Sequence, residues 1–203
     1  MENIKAESEL SVIKKIMEDS RQIVVDNGIH YIFWGIVVTA ALIVNYAMAL
    51  MKMEGKYIGL MWLILMVLSA IIDGAIGLKQ SKTSRARTFA GDLLGSLWMA
   101  SGIAMFIFGF IGTVSRAYNP IFICPIIATS LGISYFTSGA IQQLKWLQYI
   151  SFGWWGGAMV MYFFPGVHTF LIFAFMMISL QVIPGIIINS KFKKSLQQSV
   201  NEV

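Results

Sequence analysis

The sequence predicts an all-α, polytopic membrane protein with about six transmembrane helices, and three observations carry that prediction. Only 12% of the 203 residues are charged and 57% are hydrophobic, giving a mean hydropathy of +0.72. Soluble domains carry about 25% charged residues, so this chain has too few charges to cover a water-facing surface. Six apolar stretches, at 29–51, 57–78, 89–112, 120–141, 146–164 and 167–188, each approach the roughly 20 residues that cross a hydrocarbon core. The segments between them are short and hold the polar residues, with Lys and Arg gathered on one side.

Taken in order, the chain opens with an amphipathic segment at 8–25. Leu10, Ile13, Met17 and Val24 recur on one helical stripe, with Ile16 and Ile23 beside it. Lys14 with Glu18 and Lys15 with Asp19 are charge pairs at helical spacing. Interfacial helices favour Lys and Arg on their polar face, whereas residues 1–28 hold six acidic and four basic residues. The segment is therefore expected to dock on protein, through residues 8–25, in its own bundle, in a homo-oligomer or on a partner. It is also no secretory signal, since its charges are mixed and no small-residue cleavage pattern follows the first apolar run. Asn27-Gly28 breaks the helix before the first crossing.

Three parts follow from this: a cytoplasmic helix at 1–28, a six-helix bundle at 29–189 and a basic tail at 190–203. The connections fall at 52–56, 80–88, 115–119 and 142–145, and the last hairpin turns on Pro165-Gly166. A cytoplasmic N-terminus places twelve of the fifteen Lys and Arg inside, leaving only Lys52, Lys56 and Arg116 outside. Six crossings return the C-terminus to the same side, and the expected location is the plasma (inner) membrane. Pro125 and Pro184 are expected to kink the fourth and sixth helices.

The even-numbered helices end alike, in Asp73-Gly74-Ala75-Ile76, Ser138-Gly139-Ala140-Ile141 and Pro184-Gly185-Ile186-Ile187, each a few residues before a lysine. The odd ones carry Trp near a small residue: Trp34-Gly35, Trp98 with Ser101-Gly102, and Trp154-Trp155-Gly156-Gly157. One reading is three parallel two-helix repeats about an axis along the membrane normal. The other is coincidence in a chain rich in Gly and Ile. These endings resemble the HdeD-type family of small acid-stress membrane proteins, over about 29–191. The resemblance implies a small helical membrane protein with no catalytic motif, and the long N-terminal segment departs from it.

Two acidic residues, Asp73 and Asp92, fall inside the expected crossings, where an ionisable group costs about 2.5–3.5 kcal/mol on insertion scales. Both lie in the cytoplasmic half and would face each other across one hairpin. His30 and Gln181 belong to the same broad layer. As a site, the four would bind a cation or relay a proton, with mutual repulsion raising one carboxylate's pKa. As structure, Arg85 and Arg87 would neutralise the aspartates, and Asp92 would gain from the helix dipole. Gly91 with Gly95, and Gly153 with Gly157, have the small-residue spacing of close helix packing. Trp154 and Trp155 lie near mid-membrane, as packing residues or as a cavity wall. Asn45 is expected to hydrogen-bond across a helix interface.

His168 is expected at the outer membrane face without a second His or Cys at metal spacing, and Cys124 stands alone. No metal, cofactor or nucleic acid is expected, and no phosphate loop, nucleophile elbow or zinc-protease motif is present. The expectation is a non-enzymatic membrane protein, lipid-embedded, acting through protein contacts as a scaffold, stress-response or regulatory component. The alternative is a small transporter or channel for protons, cations or a small solute, using Asp73 and Asp92.

Overall fold

A computed structural model describes residues 27–83 and 89–201. The amphipathic segment at 8–25 lies outside the described residues, as do Arg85 and Arg87. Six helices follow in order: α1 (Ile29–Leu50), α2 (Gly55–Thr83), α3 (Phe89–Val114), α4 (Ile123–Ile141), α5 (Lys145–Phe163) and α6, which starts at Thr169 and reaches Asn201. α3 contains a π-helical stretch at Ile107–Ile111 and α6 another at Ile178–Val182. At about 1.5 Å per residue, α1 is roughly 33 Å long, enough for a bilayer core. The basic tail expected at 190–203 continues α6 as helix through Asn201.

Five helices are long and apolar enough to cross a membrane, and the chain is a multi-pass membrane protein of the all-helical kind. The helix that falls short is α5, which carries Lys145, Gln148 and several aromatic and Gly residues. It nevertheless runs beside α4 for that helix's full length. Gly139 meets Gln148, Gly132 meets Trp155, and Phe122 stacks near Tyr162. A helix that shadows a spanning helix from end to end spans too. Its low hydropathy has a physical reason: Leu147, Ser151, Trp154, Ala158 and Met161 recur every three or four residues and are buried by protein, not lipid.

α1 with α2, α3 with α4, α4 with α5 and α5 with α6 pack as antiparallel pairs, and α6 returns along α1, whereas the described parts of α2 and α3 do not pack on each other. Lateral order is α2, α1, α6, α5, α4, α3, with α4 also touching α6. Tyr31, Trp98 and Tyr135 from α1, α3 and α4 meet edge to face, with ring centroids 5.3–5.7 Å apart. Tyr135 also meets Trp154, which packs on Phe173 of α6. The outer helices take little part. Among the described residues α2 fully buries only Ser69 and α3 only Leu94, against nine residues in α4.

Lipid tails are as apolar as the side chains, so helices associate by close fit rather than by hydrophobic drive. Gly28 shows this. It begins α1 with φ of 70°, which glycine adopts without a steric penalty. Any Cβ there would also collide with the Gly185 carbonyl oxygen and lie 2.9 Å from Asn189 N. A Cβ on Gly185 would in turn lie 2.9–3.0 Å from atoms of Ile32 and Tyr31, and Asn189 donates to the Asn27 carbonyl at 2.6 Å. α1 and α6 are thus locked backbone to backbone.

The prolines act differently from each other. Pro184 stands two residues after the π-helical stretch of α6, where its ring would clash with the carbonyl four residues back and the helix widens. Pro125 is the third residue of α4, within the first turn, where a proline removes no intrahelical bond. The expected kink is therefore absent there, and a 3-10 turn at Pro120–Phe122 leads into the helix instead. Three helix ends close with the same paired hydrogen bonds: Met53 N to Met48 O, Ala117 N to Gly112 O, and Leu144 N to Gly139 O. Each is a Schellman end, with a left-handed Lys52, Arg116 or Gln143 in the place glycine usually takes.

Candidate functional site

His30 is the second residue of α1. The locked start of that helix, reinforced by Asn27 Oδ1 accepting from Ile29 N at 3.1 Å, holds its side chain towards α2. There it meets Asp73, with Nδ1 and Oδ1 2.6 Å apart. With Asp73 ionised, the carboxylate can only accept, so Nδ1 carries the proton. The two side chains are 31% and 24% exposed. The pair is therefore partly sheltered, and it can hold a helix in place or exchange a proton.

α2 has a second polar attachment. Trp62 Nε1 donates to Asn45 Oδ1 at 3.2 Å, so Asn45 crosses a helix interface as expected. Between the two bridges α1 and α2 part, leaving an apolar groove of about 650 Å³ walled by Ile36, Val37, Ala40, Met61, Ile64 and Leu65 among others. α2 is a strut fastened at two points along its length, Trp62 and Asp73.

The remaining expected residues are distributed as follows. Asp92 is exposed in the first turn of α3, and it is His30, from the neighbouring helix, that takes up the Asp73 carboxylate. Gln181 is buried on the π-helical stretch of α6, its Cγ close to Gly35 of α1. Gly153 receives Leu180 and Gly157 receives Met176, so this pair serves packing inside the chain. A Cβ on Gly95 would meet no described atom of a neighbouring helix within 4 Å, and Gly91 stands one turn earlier on α3. Trp154 is fully buried at the bundle centre, whereas Trp155 lies against Gly132 and donates to the Thr129 carbonyl at 3.3 Å. His168 Nε2 lies 2.9 Å from the Phe164 carbonyl in the α5–α6 turn. Among the described residues no three His, Cys, Asp or Glu come together as a metal set.

The residues that sequence reasoning missed were partners. Counted outwards from the loop at 51–54, His30 and Asp73 stand about equally far along their helices, so their shared height was legible from hairpin symmetry but the helix rotation that pairs them was not. Tyr31 and Tyr135 gave no signal beyond being aromatic. Compared with family models, curated proteins and solved structures, the chain has no match.

Proposed function

We propose that this chain is a non-enzymatic protein of the plasma (inner) membrane, with both termini cytoplasmic, that works through protein contacts as a scaffold, stress-response or regulatory component. The observation that carries this reading is the asymmetry of the three glycine-marked helix ends. Gly139 is covered by Gln148 and the Leu144 carbonyl at the start of α5, and Gly185 by Tyr31 and Ile32 at the start of α1. Gly74, in the matching place on α2, has nothing described within 4 Å, and nor has Gly95 on α3. Read as three repeats, the bundle closes two of its three seams within the chain and offers the third to another protein. Small residues are what a second helix needs for close approach in lipid. The likeness of the helix ends to HdeD-type proteins leans the role towards stress response.

The test is site-specific photocrosslinking in native membranes from Ile71 on α2 and Met99 on α3, with the exposed Phe163 on α5 as control. Discrete protein adducts from the first two positions, absent from the control, are expected. Adducts to lipid alone from all three would overturn the reading. Deletion of residues 1–25 should also change assembly or phenotype, and no change would remove that segment from the role.

A second reading rests on the His30–Asp73 contact, an ionisable pair within the span of α2, and makes the chain a small proton or cation transporter. Flux in proteoliposomes that Asp73→Asn abolishes would establish it. Absence of flux from folded, inserted wild type would dismiss it.

A further inference from the structure

The centre of the bundle contains polar atoms that no described residue satisfies. Trp154 is fully buried, and among the described residues no protein atom accepts from its Nε1. The same holds for Nε1 of Trp98, and neither Oγ of the fully buried Ser138 nor Oε1 of the buried Gln181 has a hydrogen-bond partner.

These atoms share one region. Trp98 and Trp154 both pack on Tyr135, with centroids 5.7 and 5.8 Å away, and Ser138 lies one turn along α4 on the same face. Gly153 touches Leu180, which sets Trp154 and Gln181 at the same height on neighbouring helices. Four helices therefore each bring one unmatched polar group to the core around Tyr135, with Trp154 and Gln181 level with each other and Ser138 further along α4.

The chemistry of the set is specific. An indole N–H donates and cannot accept, so two indoles cannot satisfy each other. A buried donor or acceptor left unmade costs about 1–3 kcal/mol, and the hydrocarbon around a membrane bundle supplies no partner. A molecule that both accepts and donates, and is small enough for a close-packed interior, answers all four. We infer that this polar core holds internal water, accepting from the indoles of Trp154 and Trp98 and donating to Gln181 and Ser138. Two to four polar partners is what a buried water requires. The π-helical stretch that carries Gln181 turns this side chain inward, and such stretches recur where a helix interior serves a local purpose.

The test is magnetisation transfer from water to the indole Hε1 protons in 15N-Trp-labelled protein in nanodiscs. Trp154→Phe assigns the central signal. If that variant does not fold, variants of the five other Trp residues assign it by elimination. A direct water cross-peak is expected at Trp154, weakened at least twofold by Gln181→Leu. Trp155, whose N–H goes to a carbonyl, should show none. A folded protein in which Trp154 is as silent as Trp155 would overturn the inference, as would a Trp154 cross-peak that Gln181→Leu leaves unchanged.

Discussion

The imidazole of His30 lies 2.6 Å from the carboxylate of Asp73 and joins the first turn of α1 to the latter part of α2. Because α2 buries almost nothing of its own, this bond and the one between Trp62 and Asn45 hold the helix against the bundle.

Cutting either bridge should loosen α2 without dismantling the rest. His30→Ala leaves a partly sheltered carboxylate without its imidazole and is expected to cost about 1–2 kcal/mol, the range of a hydrogen bond to a charged group discounted for exposure. Trp62→Phe should cost less, about 0.6 kcal/mol, as interhelical hydrogen bonds in membranes average. Thermal unfolding in detergent measures both, and a double-mutant cycle of His30→Ala with Asp73→Ala should show coupling. Strictly additive effects would mean that the contact contributes nothing.

Glycine substitutions should separate locked seams from open ones. Gly28→Ala combines a left-handed backbone, at about 1–2 kcal/mol, with a collision against the Gly185 carbonyl, so loss of the folded state is expected. Gly74→Ala meets open space and should stay within about 0.5 kcal/mol of wild type in purified protein. Equal effects at the two sites would contradict the packing described.

The helix ends admit improvement. Gln143 occupies a left-handed position with φ of 55° in the turn between α4 and α5. Gln143→Gly removes the Cβ penalty and should raise stability by up to about 1 kcal/mol, visible as a higher Tm. A lower Tm would mean that the glutamine side chain stabilises the turn more than its backbone strains it.

Orientation can be read with cysteine chemistry, because the native Cys124 is buried and should stay unlabelled. In intact cells a membrane-impermeant maleimide should label Lys52→Cys and reach Gln143→Cys only after permeabilisation. The opposite pattern would invert the topology proposed from the Lys and Arg distribution.

Much of this architecture was legible in the residues. Run lengths located all six helices, and Asn27-Gly28 and Pro165-Gly166 marked their breaks. α5 shows where hydropathy alone misleads, since its face is aromatic and small rather than aliphatic and is covered by protein. Asp73 was recognisable as a candidate because a carboxylate at membrane depth needs a partner, but its partner was not. Pro184 disturbed its helix and Pro125 did not, a difference that depends on which turn of the helix each one occupies.

The sequence by itself determined that this is a membrane protein, where its helices run and which few side chains are polar within them, because lipid imposes those conditions on every residue one at a time. Tertiary structure alone decided that His30 meets Asp73, that Gly28 and Gly185 touch while Gly74 faces open space, and that two Trp, a Ser and a Gln converge at the centre. Those outcomes depend on the rotation of each helix about its axis. Apolar residues surround these helices on every side, so the rotation is set by the fit of one surface into another, and no period in the sequence records that fit.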